Sequence, residues 1–320
     1  MPTLEAAIFT VTNNADTGLG TLRDAITKIN TPASTYDAVD FALEVDSITL
    51  ASPLPTLTRN VRITGKANLK IQSHTSDNII FVVGGTNVNL HLIGSGNLDG
   101  KTNWCGGIQG TGTGASVTLE QQEMGAIYPG QISGLINVTF QGLTPLTLSN
   151  TSNYLGSTKI SATTLKTAIN NALSVESSVQ ITRGATQGYL QIGSDCTQIL
   201  AGLTGSNSFV DLGNNSVLKI DSDSDSTFAG TIRGGGTLVK DGTGTFTLTN
   251  NNQCGTVNIL GGTLTVGAVN ALPETSVVTI YDSATLEVSG NQTLQSIAGD
   301  GRVNIDNAAT LTAATIADGS

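Results

Sequence analysis

Short runs of β-forming residues recur between turns rich in Gly and Asn in the last third of the chain. Three pairs of runs keep a nearly constant internal offset: Val257–Ile259 with Leu264–Val266, Val278–Ile280 with Leu286–Val288, and Val303–Ile305 with Leu311. The distance from one pair to the next varies more. Stacked coils predict this pattern, because each coil contributes strands at fixed angular positions whereas its turns vary in length. The spacing therefore favours a solenoid over an antiparallel sandwich.

Within these runs Val, Ile, Leu or Phe alternate with Thr, Asn or Ser, so one face of each strand points inward. Stacking coils about 4.8 Å apart pairs the backbone groups of every strand with the strands above and below. Glycines at Gly234–Gly236, Gly261 and Gly262 are predicted to form the tight corners. We therefore predict an all-β fold, a right-handed parallel β-helix.

Two segments carry a helical pattern instead. Thr21 is placed as an N-cap, with Asp24 at the capping-box position and Leu22, Ala25, Ile26 and Ile29 on one face. Thr164 begins a similar segment, in which Leu165, Ala168, Ile169, Ala172 and Leu173 share a face. The first helix is predicted to cap the solenoid, and the second is either a lateral insertion, which we favour, or the start of a second solenoid. The predicted organisation is a strand and capping helix at 1–30, β-helix at 31–155, a helical insertion at 156–176 and β-helix at 177–320.

Composition narrows the class of protein. With 38% hydrophobic and 12% charged residues the chain is too apolar and too weakly charged to be disordered. Ser, Thr, Asn and Gly fill most polar positions, which is typical of an extracellular surface that faces proteins or glycans. The net charge is −10 and the 14 Lys and Arg residues form no basic cluster, so neither nucleic acid nor an anionic membrane is an expected partner.

No apolar stretch reaches the roughly 18 residues of a transmembrane helix, so membrane insertion is not expected. The segment Met1–Thr10 lacks the basic start and apolar centre of a signal peptide. Cys105, Cys196 and Cys254 form no CxxC pair and lie far from His74 and His91 in the sequence, which argues against a zinc site. We expect the three cysteines to be packing residues.

Two segments resemble known bacterial families. Residues 9–65, which include FTVTNNADTGLGTLRDAITKIN, resemble the N-terminal cap of bacterial surface β-helix proteins. Residues 228–311 resemble the autotransporter-associated β-strand repeat, through GGGTL, KDGTGTFTL, GGTL and GDGRVNI in that order. The resemblance implies a passenger-type β-helix on, or released from, a bacterial surface. Autotransporters end in a membrane β-barrel that this chain does not contain before Ser320, so we expect either part of a larger protein or a short relative exported by another route.

The segment Leu92–Trp104, LIGSGNLDGKTNW, resembles the rung that precedes the active region in polygalacturonase-type β-helices. Asp99 is its only acidic residue, and the family's NTD, DD and GHG motifs do not follow. An Asp before Gly is more often a turn residue, and paired-carboxylate catalysis has no other support in the sequence.

Other candidate chemistry is equally sparse. Asp221, Asp223 and Asp225 alternate with Ser and could share one face around Ca²⁺, but the Gly and distal Glu of an EF-hand are missing, so a solvated turn or strand edge is favoured. Only His74 and His91 could serve as the base of a protease triad, and no nucleophile motif is present. Cys105 could act as a nucleophile with His91, but nothing in the sequence orients such a pair. Four tyrosines could stack on sugars from the side of the solenoid: Tyr128, Tyr154, Tyr189 and Tyr281.

The sequence thus predicts a non-enzymatic, extracellular β-helix without cofactor or metal, which mediates adhesion or self-association in a biofilm or cell contact. Its expected partners are copies of itself, or a host or matrix glycan or protein, bound by many weak contacts along a flat face. Two alternatives stay open. One is a filament subunit that polymerises end to end by strand pairing. The other is a polysaccharide-degrading β-helix enzyme with a groove lined by two carboxylates.

Overall fold

The structure, a computed structural model, describes residues 7–73, 78–94, 104–122, 126–183 and 188–317. It is a parallel β-solenoid, which confirms the predicted fold class. The chain forms two compact units, Met1–Thr158 and Lys159–Ser320. The boundary between them falls inside the segment 156–176, which the sequence assigned to a helical insertion.

Helix α1, Leu22–Ile29, is formed as predicted. The Thr21 side chain accepts a hydrogen bond from the Asp24 backbone N–H, and the Asp24 carboxylate accepts one from the N–H of Gly20. The four apolar residues of the predicted face are fully buried. Because α1 contacts the first two strands of the unit, its apolar face covers the first coil, as a cap requires.

The first unit contains fourteen strands in the described residues. They are β1 (Ala7–Val11), β2 (Tyr36–Phe41), β3 (Ser47–Leu50), β4 (Val61–Thr64), β5 (Lys70–Ser73), β6 (Ile79–Val83), β7 (Asn89–Gly94), β8 (Gly107–Gly110), β9 (Ser116–Gln121), β10 (Ala126–Tyr128), β11 (Ile132–Gly134), β12 (Asn137–Gly142), β13 (Leu146–Leu148) and β14 (Asn153–Tyr154). One parallel sheet runs β1, β2, β4, β7, β9 and β12, and a second runs β6, β8, β11 and β14. Strands β3 and β5 form a third, parallel pair.

The remaining strands begin at the boundary of the second unit. They are β15 (Thr158–Ser161), β16 (Thr164–Thr167), β17 (Ser178–Thr182), β18 (Tyr189–Ile192), β19 (Thr197–Leu200), β20 (Gly202–Leu212), β21 (Val217–Asp221), β22 (Ser226–Asp241), β23 (Thr245–Leu248), β24 (Gln253–Ile259), β25 (Gly262–Val266), β26 (Val277–Ile280), β27 (Ala284–Val288), β28 (Gln292–Ala298), β29 (Arg302–Ile305) and β30 (Leu311–Ala317). The long strands β20 and β22 each pair with several shorter ones, so they bend from one face of the solenoid to the next.

Two of the three predicted pairs of runs take the expected positions. Val257 pairs with Val278, and Leu264 pairs with Leu286 on the neighbouring coil. The third pair is wrong, because Val303 pairs with Leu286 and so belongs with the second runs. The strand that continues the first runs is β28, whose Ile297 lies against Val278. The alternation of buried and outward-facing residues is broken where β28 bends, so a search for alternating apolar residues does not find this strand.

The predicted second helix, Thr164–Leu173, is also wrong. Thr164–Thr167 forms β16, and the chain then turns with Asn171 at a φ of 48°. A positive φ does not occur inside a right-handed α-helix. Leu165 and Leu173 are buried as the pattern predicts, but they face the inside of a coil.

A buried glutamine on the following coil holds this turn. The Gln198 side chain accepts a hydrogen bond from the N–H of Leu173 and donates one to its carbonyl oxygen, both at 3.1 Å. Gln292 binds the backbone of Leu272 in the same way, at 3.1 and 2.7 Å. The same kind of turn therefore occurs twice in the second unit. In both turns the backbone N–H and carbonyl of the leucine bind a glutamine side chain, so they cannot form the hydrogen bonds of an α-helix.

Glycine is required at the corner inside β22. Gly234 has a φ of 117°, and a Cβ atom there would overlap the backbone of Leu212 on the preceding coil. The predicted corner role therefore holds at this position, where both backbone conformation and close approach exclude a side chain.

Candidate lateral binding surface

A two-column array of polar and aromatic side chains lies on one outer face of the second unit. Strands β16, β18, β20, β22 and β24 pair in parallel there, so residues in register stack above one another. The inward neighbours Leu190, Val210 and Ile232 are fully buried, which fixes the outward direction of the array. One column consists of Lys166, Gln191, Asp211, Arg233 and Gln253, and the other of Thr164, Tyr189, Phe209 and Thr231. We call these nine residues the lateral array.

An ion pair joins two neighbouring strands of the array. Arg233 Nε lies 2.6 Å from Asp211 Oδ1, and Nη2 lies 3.3 Å from Oδ2, which is a two-pronged contact. The hydrogen bond that Arg233 donates to the Asp211 carboxylate raises the pKa of Arg233 despite its partial burial. Both side chains are therefore held in one arrangement rather than extended into solvent.

Aromatic rings continue this arrangement in the second column. The rings of Tyr189 and Phe209 stack with centroids 5.0 Å apart and an interplanar angle of 14°. The Arg233 guanidinium lies 4.3 Å from the Phe209 ring centroid and 5.8 Å from that of Tyr189. Cation–π contacts and offset stacking each favour such geometry. The array thus presents amide, carboxylate, guanidinium and phenol groups on a preorganised surface.

The other tyrosines of the sequence analysis lie elsewhere. Tyr128 and Tyr154 are buried in the first unit and cannot stack on a ligand. The Tyr128 hydroxyl donates to the carbonyl oxygen of Gly106, and burial raises the pKa of this phenol. Tyr281 is half exposed, outside the array. Of the four, only Tyr189 belongs to this surface.

The three aspartates proposed as a weak calcium site have protein partners instead. Asp221 pairs with Lys219 at 3.0 Å. Asp223 accepts hydrogen bonds from the Thr243 backbone N–H and hydroxyl at 2.9 and 2.8 Å, and Asp225 accepts one from the Thr245 N–H at 2.7 Å. The Thr243 N–H lowers the pKa of Asp223. The carboxylates of Asp223 and Asp225 thus connect this turn to the next coil.

Lys240, beside this turn, is a charged residue in an inward-facing position. Its backbone pairs with Ile220 and Ile259, and its side chain is buried. The ammonium donates to the carbonyl oxygens of Asp241 and Gly242, at 2.5 and 3.0 Å. Burial lowers the pKa of Lys240. The hydrogen bonds to these carbonyl groups compensate for the desolvation of the ammonium charge, so Lys240 stabilises the corner.

The first unit carries a polar cluster around Glu120. His91 Nε2 lies 3.0 Å from Glu120 Oε2, to which the Gln141 amide also donates at 2.7 Å, while Gln122 donates to Oε1 at 3.1 Å. Burial opposes ionisation, but the hydrogen bonds from Gln141, Gln122 and His91 outweigh it and lower the pKa of Glu120. His74 and Asp99 lie outside the described residues.

The three cysteines are free thiols. Cys196 and Cys254 are buried, and burial raises the pKa of Cys254 to about 12. A thiol with this pKa carries almost no thiolate at neutral pH and is a poor nucleophile. Cys105 is partly exposed. In the part of the chain that the structure describes, no group of three or more His, Cys, Asp or Glu side chains could hold a metal ion.

Comparisons with known proteins found no matching family model, no matching curated protein and no matching solved structure. The resemblances at 9–65 and 228–311 therefore stay predictions. Across the described ranges, no helix has the length and apolar character needed to cross a lipid bilayer.

Phe209, Asp211 and Arg233 are functional candidates that the sequence pattern did not predict. A signal was present, because Gln191, Asp211, Arg233 and Gln253 follow one another at intervals of one coil, 20 to 22 residues. Such a column is visible only when the coil length is already known. The runs whose spacing reveals the coil length begin at Val257, which follows the array in the sequence.

Proposed function

We propose that this protein is a non-enzymatic, extracellular β-solenoid that mediates adhesion or self-association through the lateral array. The observation that carries the proposal is the array itself, a surface of polar and aromatic side chains on five adjacent strands, in which Tyr189, Phe209, Asp211 and Arg233 contact one another. Tyr and Arg are enriched where proteins bind one another, and rigid aromatic side chains lose little entropy on binding. Extracellular location is supported by the low charge and the Ser-, Thr- and Asn-rich composition.

The array would act by repetition. Parallel pairing sets neighbouring members of each column about 4.8 Å apart, so an extended glycan or a second copy lying along the array meets a hydrogen-bonding group at each step. Many weak contacts then add into a useful affinity without a deep pocket. The expected partners are copies of the same chain, or a host or matrix glycan or protein.

Bead adhesion tests this proposal. Beads coated with the full chain are measured for clumping with one another and for retention on immobilised dextran, cellulose and fibronectin. Arg233→Glu reverses a charge at the centre of the array and should reduce clumping or retention at least about fivefold. Arg183→Glu makes the same change at an exposed arginine outside the array and serves as the matched control. Equal adhesion by both variants, with unchanged circular dichroism, would exclude the array as the contact surface.

A filament subunit is the second candidate function. Strand β30 is the last described strand, and Ile316, which pairs with the buried Ile297, is 76% exposed. Edge strands with exposed apolar residues pair readily with other chains. Helix α1 opposes strand addition on the first unit, because it covers the first coil. We therefore place adhesion first.

Sedimentation velocity over a range of concentrations tests for filaments. Ile316→Lys should abolish large assemblies if they form by strand pairing at β30, whereas Arg233→Glu should leave them intact. A chain that stays monomeric at all concentrations would eliminate this candidate.

A further inference from the structure

An open cleft of about 580 Å³ lies beside two turns of the second unit. One turn follows β26 and contains Asp282 and Ser283, and the other follows β28 and contains Asp300. Thr285 of β27 and Arg302 of β29 complete the polar lining. Binding sites for small molecules commonly have volumes of roughly 300 to 1,000 Å³. The cleft is thus large enough for a ligand of one or a few rings.

The charged groups of this cleft have no partner among the described residues. Among the residues that the structure describes, the side chains of Asp282, Asp300 and Arg302 make no hydrogen bond or ion pair with one another or with a neighbour. The register explains this, since Arg302 pairs with Thr285 and both aspartates lie in turns. Carboxylates accept hydrogen bonds and the guanidinium donates them, so both capacities remain open to a ligand.

This combination matches the hydroxyl groups of a sugar. A carboxylate can accept from two neighbouring hydroxyls, and Ser283 and Thr285 can donate or accept as the ligand requires. A ligand rich in hydroxyls uses all of these groups.

The net charge of the cleft lining restricts the class of ligand further. Two carboxylates and one guanidinium leave the lining with one negative charge, on a chain whose net charge is −10. A uronate or sulfated sugar would bring like charge into this field. We infer that the cleft is a binding site for a neutral saccharide. The site shares no residue with the lateral array, so an experiment that excludes binding at one of them leaves the other proposal unaffected.

Saturation-transfer NMR and calorimetry on the full chain test the inference. The probes are neutral cello-, malto- and N-acetylchito-oligosaccharides, with galacturonate oligosaccharides as the charged comparison. At least one neutral series should bind saturably and more tightly than the galacturonates. Asp282→Asn and Asp300→Asn keep the shape of the side chain but remove its charge, and each should weaken binding about tenfold.

Asp306→Asn is the matched control, because Asp306 is exposed after β29 and does not line the cleft. It should bind like the unaltered chain, and all three variants should keep its melting temperature. The inference is overturned if no neutral oligosaccharide saturates, if galacturonates bind more tightly, or if the cleft variants bind as well as Asp306→Asn. Release of reducing ends during incubation would overturn a pure binding role. Unchanged saccharide binding by Arg233→Glu would separate this site from the lateral array.

Discussion

The lateral array and the cleft are built from the same kinds of side chain in the same unit, yet they differ in how those side chains are used. In the array, Asp211 and Arg233 lie in register on paired strands and bind one another, with Tyr189 and Phe209 stacked beside them. In the cleft, Arg302 lies in register with Thr285, and the carboxylates occupy turns. The two surfaces therefore share residue types but place them at different positions on the coil.

This difference determines how much each surface contributes to the stability of the fold. Groups in register satisfy one another, which orders the surface and strengthens the contact between coils. Groups in turns keep their hydrogen-bonding capacity and contribute little to stability, but a ligand can use them. We therefore expect substitutions in the array to lower the stability of their strands as well as adhesion, and substitutions in the cleft to affect ligand binding with little change in stability.

The largest effect is expected for Phe209→Ala. This change removes the partner of Tyr189 and the ring beneath Arg233, and should lower the local free energy of unfolding by about 2 kcal/mol, below the cost at a fully buried Phe. Tyr281→Ala, at a half-exposed ring in the turn after β26, should cost less than about 0.5 kcal/mol. Hydrogen exchange of the amides in β20, β22, β26 and β28 measures both effects. Similar losses in both variants would contradict the comparison.

Arg233→Ala should come next, with a loss of about 1 kcal/mol, because a two-pronged ion pair and a cation–π contact disappear together. Arg302→Ala should change stability by less than about 0.5 kcal/mol. A double-mutant cycle of Arg233→Ala with Asp211→Ala should give a coupling of roughly 1 kcal/mol. No coupling would mean that the pair in the array is as independent as the groups in the cleft.

The two segments that carry a helical pattern show how far the sequence predicts this fold. In the first, Thr21 and Asp24 satisfy the free N–H groups of a helix start, so local chemistry and apolar pattern agree. In 164–173 the apolar pattern is similar, but Asn171 adopts a positive φ and Gln198 binds the backbone of Leu173. The second outcome depends on a residue of the next coil, which no local pattern contains.

The candidate sites were less predictable than the fold for the same reason. Strand alternation and coil spacing follow from the backbone geometry of a solenoid, so they appear in the sequence. The pairing of Asp211 with Arg233 requires the register between coils, and that register shifts within β20 between Ser206 and Phe209. The cleft depends on the conformation of two turns. Gly299, with a φ of 107°, marks one of those turns but does not predict a cavity.

Thr285→Asp should convert part of the cleft into an array-like pair. Thr285 lies in register with Arg302, so the new carboxylate can bind the guanidinium as Asp211 binds Arg233. Stability should change by no more than about 0.5 kcal/mol, since an exposed pair contributes little and Asp is a poor strand former. Binding of a neutral saccharide should weaken severalfold, because Arg302 would be engaged. Thr285→Asn is the control, and equal binding by both variants would show that the register does not decide the use of Arg302.

Acidification gives the smallest expected effect and extends the comparison to Lys219, which lies 2.7 Å from Asp241. The hydrogen bond from Lys219 lowers the pKa of Asp241, and the Gly242 N–H adds to it against partial burial. A carboxyl group whose pKa is lower in the folded state stabilises the fold above its ordinary pKa, near 4, and this contribution is lost as the pH falls through the folded value. Between pH 4 and pH 2 the unaltered chain should therefore lose up to about 0.5 kcal/mol more than Asp241→Asn. Asp306→Asn should follow the unaltered chain, and hydrogen exchange in β22 at each pH provides the measurement. If Asp241→Asn shows the full acid response, the ion pair with Lys219 does not set the pH dependence of this corner.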